Sequence, residues 1–195
     1  MKKGFLFILA IIPLIAFSQN REKFDQVNPI YSEVLPLENG LITFSTVVPA
    51  EGVGKSELYL RAHDWIIKSF NSPKDAVQLS DKEAGRIVCK TFTTVSAGKG
   101  FFGKVTMDLF YILTIETRDD RYKITASNFV HSYKQPVGVV TAEGDNQFEK
   151  YFLLKHPTKK EESLNMEMAS NLSNFIWSTF ELAESEVNQA KNDDW

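Results

Sequence analysis

Cysteine is almost absent from the 195-residue sequence: Cys89 stands alone, so no intramolecular disulfide can form. Histidine is also scarce, and the three histidines, His63, His131 and His156, show none of the spacings typical of metal-binding motifs. The sequence likewise contains no phosphate-binding glycine loop and no GxSxG nucleophile motif. We therefore predict no metal site, no cofactor and no catalytic residue, and we expect Cys89 to be a small buried side chain.

A surplus of positive charge is missing as well. The sequence has 22 Lys and Arg against 25 Asp and Glu, which gives a net charge of −3. Proteins that bind nucleic acids usually carry a basic surplus, so we do not expect nucleic acid as a partner. What the chain does contain is apolar material, since 43% of its residues are hydrophobic and 12% are aromatic. A chain of this length can bury a stable core without disulfides or metal ions, and one folded domain is expected.

The N-terminus has the three parts of a secretory signal peptide. Lys2 and Lys3 form a positively charged start, an apolar run covers residues 5–15, and small residues precede a cleavage site after Ser18. The apolar run is shorter than the roughly 20 residues that span a bilayer, so residues 1–18 are predicted to be cleaved rather than to form a membrane anchor. Because no cysteine follows the cleavage site, a lipid anchor is not expected. We therefore predict a periplasmic or secreted protein without stable membrane insertion after cleavage.

The remainder of the chain predicts one α+β domain over residues 41–187. An extended lead-in over residues 19–40 precedes this domain, and residues 188–195 are expected to fray as a C-terminal tail. The β-branched run over residues 41–48 predicts a first strand. No repeat and no long linker divides the domain.

Two segments have the apolar spacing of amphipathic helices. The first covers residues 57–70, with Ser56 as its predicted N-cap, and the second covers residues 163–187. We expect both helices to pack on the same face of the sheet, with Trp65 and Phe175 in the core. The predicted apolar stripe of the second helix consists of Leu164, Met168, Leu172, Phe175, Ile176, Thr179, Leu182 and Ala183.

Alternating apolar residues predict a group of antiparallel strands. The clearest strand covers residues 101–117, in which the odd positions are apolar and Leu113 is expected in the core, and residues 121–132 alternate in the same way. A strand over residues 86–95 is expected to join the first of these through a turn at residues 97–100. This segregation of strands and helices predicts an α+β fold in which two helices cover one face of an antiparallel sheet and leave the other open.

Two stretches of this domain resemble a known protein family. The resemblance is carried by spaced aromatic, charged and glycine residues: Tyr59, Ala62, Trp65, Phe70, Val77, Gln78, Asp81, Lys82, Gly85, Arg86, Ile87 and Val88, and then Tyr111, Arg121, Tyr122, Lys123, Ile124, Ser127, Asn128 and Phe129. The chain is similar here to a family of exported bacterial domains of unknown function with a fold like half of the TATA-binding protein. The resemblance covers roughly residues 41–134 and implies a curved antiparallel sheet backed by helices. It implies no activity, because a fold alone does not determine one.

The hairpin between the two alternating strands supplies a candidate surface. If Asp119 and Asp120 form a two-residue turn, the register places Ile115 opposite Ile124 on the core side of the sheet. On the open side, the same register brings together the candidates for ligand or partner binding, which are Asp108, Phe110, Ile112, Phe129 and His131.

The predicted register pairs Phe110 with Phe129, and Asp108 with His131, across the open face. An exposed acid–imidazole pair stabilises a sheet by only about 0.2–1 kcal/mol, so stability gives little reason to place two aromatic rings beside it. A covering element of the chain or a partner explains the rings better. We therefore predict a non-catalytic binding or interaction module of the bacterial cell envelope, whose partner is an unidentified envelope protein or a small ligand.

One alternative is that the open face is covered from within the chain. Residues 135–160 contain a short apolar group formed by Phe148, Tyr151 and Phe152. If this group packs on the open face, the two aromatic rings belong to a second core and not to a binding surface.

A second alternative is a small envelope hydrolase that uses Asp108 and His131, with Ser127 or Ser132 as its nucleophile. A nucleophile must lie within hydrogen-bond reach of its base. The predicted register sets Ser127 roughly 13 Å from the pair along the strand and Ser132 on the opposite face. The hydrolase is therefore the less favoured hypothesis.

Overall fold

The computed structural model describes residues 27–70, 76–100, 103–134, 139–140, 147–152 and 157–189. The predicted signal peptide over residues 1–18 and most of the predicted C-terminal tail lie outside these residues. The described chain has an α+β fold, in which two helices pack on one face of an antiparallel sheet. None of the helices in this part of the chain is both long and apolar enough to span a membrane.

The main sheet is built around three long consecutive strands. Its order is β3-β7-β6-β5-β4, with β8 paired to β7, while β1 and β2 form a separate two-stranded sheet. The strands are β1 (Leu37–Glu38), β2 (Leu41–Ile42), β3 (Phe44–Pro49), β4 (Val77–Asp81), β5 (Arg86–Gly100), β6 (Gly103–Arg118), β7 (Arg121–Lys134) and β8 (Val139–Val140). Among the described residues, the α-helices with described bounds are α1 (Lys55–Ser69) and α2 (Lys159–Asn188), and two 3₁₀ helices cover Pro29–Tyr31 and Phe148–Phe152.

Alternate residues of β6 form the floor of the core. Met107, Leu109, Tyr111, Leu113 and Ile115 are all almost fully buried. The even-numbered residues between them lie on the opposite face, because successive side chains of a strand point in opposite directions. The period-two pattern predicted for this strand is confirmed.

Both helices pack on this core face, as predicted. Helix α1 buries Leu58, Ala62 and Trp65, which recur at helical spacing and so form one stripe facing the sheet. Helix α2 contacts both α1 and β5. Its N-terminus has a capping box, in which the Thr158 hydroxyl accepts from the Glu161 N–H and the Glu161 carboxylate accepts from the Thr158 N–H.

The buried stripe of α2 differs in part from the predicted one. Phe175 was expected in the core, yet it is 39% exposed, and Leu182 is exposed as well. The sheet and α1 cover a narrower surface of α2 than the predicted apolar stripe. Phe175 and Leu182 therefore lie at the edge of the surface that α2 buries. The residues of α2 that are buried are Asn165, Met168, Ala169, Leu172, Ser173, Ile176, Phe180, Ala183 and Val187.

The N-terminus of α1 is capped by a distant turn and not by Ser56. The helix begins at Lys55, whose N–H donates to Oδ1 of Asp119 over 2.8 Å. The neighbouring Asp120 has a φ of 64°, and its Oδ1 accepts from the Gly52 N–H over 2.8 Å. The two aspartates, predicted only as a two-residue turn, thus tie the β6–β7 hairpin to the start of α1.

The turn predicted at residues 97–100 is instead part of strand β5. Strand β5 runs to Gly100 and β6 starts at Gly103, and Lys99 pairs with Lys104. Residues 97–100 therefore belong to a strand, with a register shift just before Lys99. Glycine inside a strand is typical of such irregularities, so it did not mark a turn here.

The lead-in is more folded than the extended segment predicted for residues 19–40. Its described part, from residue 27 on, contains the 3₁₀ helix Pro29–Tyr31 and strand β1. Tyr31 and Leu35 are fully buried, and the ring centroid of Tyr31 lies 5.0 Å from that of Phe152. This segment therefore closes one end of the core.

Candidate functional site

The β6–β7 hairpin has two registers. Next to the turn the pairing is the predicted one, with Ile112 opposite Ser127. Beyond Ile112 the pairing shifts by one residue, so that Leu109 lies opposite His131. The shift is a β-bulge that contains Asn128, whose φ is 56°. A shift of one residue moves every following side chain to the other face of the sheet.

The bulge places Phe129 in the core, which corrects its predicted position on the open face. Phe129 is 1% exposed, and its ring centroid lies 5.6 Å from that of Tyr111 and 5.9 Å from that of Phe44. Phe110 stays on the open face but lies opposite Val130 and not opposite Phe129. Phe129 is therefore part of the core and is removed from the candidates for binding.

His131 also lies on the helix-covered side, which corrects its predicted place beside Asp108. It is 9% exposed, and its Nε2 lies 3.1 Å from Oη of Tyr151. The carbonyl oxygen of Tyr151 accepts a hydrogen bond from Nδ2 of Asn165 over 2.8 Å. His131 thus links the sheet to the second 3₁₀ helix and, through it, to α2.

Asp108 lies on the open side of β6 but is buried. Its Oδ1 accepts a hydrogen bond from the Thr94 hydroxyl over 2.8 Å, and its partner residue on β7 is Ser132. Asp108 and His131 therefore belong to different faces. They are not the directly opposed pair that the hydrolase alternative requires.

The open face keeps Phe110 and Ile112 and adds Phe92, which was not among the residues predicted for this face. Phe92 lies on β5 opposite Phe110, with the ring centroids 5.6 Å apart, and it is 56% exposed. Phe110 and Ile112 are half-buried, and Val130 continues the row on β7. The signal for Phe92 was its even position in a strand whose odd residues Ile87, Cys89, Thr93 and Val95 are buried. We call Phe92, Phe110, Ile112 and Val130 the apolar patch.

A groove borders the apolar patch on the side of β5. Strand β4 pairs with β5 only as far as Cys89, so from Lys90 onward β5 is the edge of the described sheet. The groove has a volume of about 460 Å³ and lies between this edge, α1 and α2. Phe175 and Leu182 line it, which accounts for their exposure, and Phe92 belongs to both the groove and the patch.

The end of the open face next to the β6–β7 turn is charged. Arg118 and Arg121 lie opposite each other, and in the next row Glu116 lies between Arg86 and Lys123. All five side chains are exposed. Three of the four cations line a cavity of about 420 Å³. We call Arg86, Arg118, Arg121 and Lys123 the basic end.

The apolar group of residues 135–160 packs on the helix-covered side. Phe148 and Phe152 are fully buried with their ring centroids 5.0 Å apart, and the Tyr151 ring contacts His131. The alternative in which these three rings cover the open face is therefore wrong. Residues 135–138, 141–146 and 153–156 of the segment lie outside the described residues.

Cys89 is a core residue, as predicted. It is fully buried, and this burial raises the pKa of its thiol to about 11. The thiol therefore keeps its proton at neutral pH, and only the thiolate is a strong nucleophile. In the part of the chain that the structure describes, no group of three or more His, Cys, Asp or Glu side chains is placed to hold a metal ion.

Comparison with known proteins supports the fold assignment. Residues 44–132 match the model of a family described as a domain of unknown function (DUF4468) with TBP-like fold. The family resemblance found in the sequence is thus confirmed. No curated protein matches the chain.

Two crystal structures are similar to this fold over most of its length. A TBP-like protein from Parabacteroides distasonis ATCC 8503 has 19% sequence identity and a TM-score of 0.59, and the match covers 81% of this chain and 99% of that protein. A DUF4468 family protein from Bacteroides ovatus ATCC 8483 has 13% identity and a TM-score of 0.62, and the match covers 83% of this chain and 94% of that protein. At these identities the likeness establishes the TBP-like fold and no activity.

Proposed function

We propose that this protein is an exported, non-catalytic binding module of the bacterial cell envelope that holds a partner protein on its open sheet face. The observation that carries the proposal is the exposed ring of Phe92 beside the half-buried Phe110, on a face that neither described helix covers. Water favours polar side chains on such a face, and clustered exposed apolar side chains are typical of interaction sites.

The apolar patch has the composition of an interface centre. Aromatic residues are enriched among the side chains that dominate binding free energy, because their large apolar area is removed from water on contact. Each square ångström of apolar surface that is buried contributes roughly 25 cal/mol. Lys90 borders the patch, with its Nζ 6.0 Å from the centre of the Phe110 ring, and supplies a polar rim.

Export is supported by the N-terminal sequence. The charged start at Lys2 and Lys3, the apolar run over residues 5–15 and the cleavage site after Ser18 together form a signal peptide pattern. Mass spectrometry of the protein recovered from the envelope fraction tests this part of the proposal. We expect a chain that begins at Gln19, and a protein that retains its signal sequence would contradict export.

The non-catalytic part of the proposal is supported by the register of the hairpin. A hydrolytic site needs its nucleophile and base within about 2.6–3.2 Å and a third group that orients the base. Asp108 and His131 lie on different faces, and the Nε2 atom of His131 is within hydrogen-bond distance of Tyr151. The arrangement therefore favours binding over hydrolysis.

Site-specific photo-crosslinking in living cells tests the binding face. A benzoyl-phenylalanine at position 92 should form a covalent adduct of defined higher mass, since the partner covers this ring in the proposed complex. The matched control is the same residue at position 60, where the apolar Leu60 is exposed on α1. Absence of an adduct from position 92, or the same adduct from both positions, would contradict the proposal, and a small mass increase would indicate a small ligand in place of a protein.

A further inference from the structure

The charges of the open face are segregated along the strands. The basic end collects Arg86, Arg118, Arg121 and Lys123 beside the turn, and the acids next to them are Glu116 and, opposite Arg86, Asp81. The apolar patch lies farther along the same face. The chain as a whole has a net charge of −3. The open face is therefore locally cationic on a protein that is acidic overall.

Fold stability explains Arg86 and Lys123, which lie opposite Glu116, but not the arginine pair at the turn. Arg118 and Arg121 are direct cross-strand neighbours, and like charges in these positions destabilise a sheet. Among the described residues the four cations form no ion pair, and the salt bridge found there joins Arg61 to Glu57 on α1. The positive charges of the basic end are thus available to a partner.

The two acids of the turn are engaged on its other side. Oδ1 of Asp119 accepts from the Lys55 N–H, and Oδ1 of Asp120 accepts from the Gly52 N–H, so both carboxylates face the start of α1. The guanidinium groups of Arg118 and Arg121 belong to the open face. Guanidinium offers a planar fork of donors that matches a carboxylate.

We infer that the partner docks an acidic protein segment, whose carboxylates contact the basic end while its apolar side chains cover the apolar patch. The inference rests on the proposed function because it uses the same face. From Arg118 to Phe110 the distance along β6 is roughly 27 Å at ~3.4 Å per residue. About eight extended residues or five helical turns span this distance, so one segment reaches both ends.

An acidic protein segment matches this surface better than duplex DNA or an anionic membrane does. DNA offers phosphates but no apolar side chains for the patch, and the acidic net charge of the chain opposes its approach. Membrane insertion uses several protruding apolar side chains, whereas in the apolar patch only Phe92 is exposed and Phe110, Ile112 and Val130 are half-buried within the sheet face. Complementary charge also raises the association rate and makes it sensitive to salt.

The test uses a random copolymer of glutamate and tyrosine as the probe, because it offers both carboxylates and aromatic rings. Polyglutamate is the matched probe without apolar side chains. Fluorescence anisotropy of the labelled probes measures binding to the purified protein at low and at physiological ionic strength. We expect tighter binding of the copolymer than of polyglutamate, and weaker binding of both as salt screens the charges.

Two charge-reversal variants locate the binding. Arg118→Glu/Arg121→Glu reverses the basic end, and Lys159→Glu/Lys160→Glu makes the same change in net charge at exposed residues of α2. The first variant should weaken copolymer binding by on the order of tenfold or more, and the second by about twofold or less. Arg118→Gln/Arg121→Gln removes the charges without reversing them, so it should give a loss of binding between those of the two charge-reversal variants. This neutral variant keeps the test decisive if the reversed charges disturb the hairpin.

Several results would overturn the inference. These are equal losses in the two charge-reversal variants, no binding of the copolymer to the unmodified protein, or tighter binding of duplex DNA or phosphatidylglycerol vesicles at the same salt concentration. Phe92→Ser/Phe110→Ser separates this inference from the proposed function, because it changes the apolar patch and leaves the basic end intact. This variant should bind the copolymer no more tightly than polyglutamate, while its affinity for polyglutamate stays unchanged. If it still binds the copolymer more tightly than polyglutamate while Arg118→Glu/Arg121→Glu still weakens binding, docking on the apolar patch is wrong and the acidic partner stands.

Discussion

The two faces of the main sheet follow the same alternation but differ in cover and composition. On the helix-covered face Leu109, Leu113 and Ile115 are fully buried beneath α1 and α2. On the open face Phe92 and Phe110 share the surface with the cations of the basic end, and neither described helix lies over them. The difference indicates that one face carries the stability of the fold, and the other is the face on which we propose binding.

Leu113→Ala should have the largest effect on stability, because it removes packed atoms from the helix-covered face. We expect the free energy of unfolding, measured with urea, to fall by about 2–5 kcal/mol. Ile112→Ala changes the neighbouring residue on the open face and should cost about 1 kcal/mol or less. If the two losses are equal, the assignment of the faces is wrong.

Asn128→Val tests the bulge that moves the end of β7 from one face to the other. Asn128 has a φ of 56°, a conformation that glycine adopts freely and a β-branched residue does not. The valine variant should lose roughly 1–2 kcal/mol, whereas Asn128→Gly should remain close to the unmodified protein. Equal stabilities of the two variants would show that the bulge does not depend on this residue.

Cys89 on the helix-covered face makes stability fall at alkaline pH. Burial raises the pKa of its thiol from the ordinary value of 9.0 to about 11 in the folded protein. The unfolded chain therefore releases the proton first, so the free energy of unfolding decreases as pH rises through this interval. Cys89→Ala should reduce the decrease, although burial also raises the pKa values of Tyr111 and Tyr122. Identical pH profiles for both proteins would contradict this assignment.

Phe92→Ser/Phe110→Ser should have the smallest effect on stability and a large effect on binding. The cross-strand pair of Phe92 and the half-buried Phe110 contributes about 1 kcal/mol or less to the sheet, so thermal denaturation should show a folded protein. Photo-crosslinking to the partner should be lost from a neighbouring position such as 112. Leu60→Ser/Ile67→Ser, which changes two exposed apolar residues of α1, is the matched control and should retain the adduct. Unfolding of the first variant would show that these rings are part of a second core.

Much of the fold follows from local patterns in the sequence. The odd positions of β6 and the helical spacing of Leu58, Ala62 and Trp65 are local signals, and each predicted the face that is buried. The register next to the turn was also predictable, because a two-residue turn between Arg118 and Arg121 fixes it. The α+β class and the shared helix face follow from the order of these elements.

The candidate site was only partly predictable because one residue decides it. Asn128 tolerates a left-handed conformation but is equally compatible with an ordinary strand, so the sequence held no signal for the bulge. The resulting shift moved Phe129 and His131 into the core. The cap of α1 by Asp119 depends on a contact between residues that are 64 positions apart, which a local pattern does not reveal. Phe92 was predictable from the alternation of β5.

Cysteine labelling at position 92 tests the claim that the open face is covered by a partner most directly. The native Cys89 is buried with a raised pKa, so it adds little background to the labelling of Phe92→Cys by a maleimide. We expect rapid labelling of the purified variant and strong protection in the intact envelope, with Leu60→Cys labelled equally in both. Equal labelling of Phe92→Cys in the purified protein and in the envelope would contradict the account.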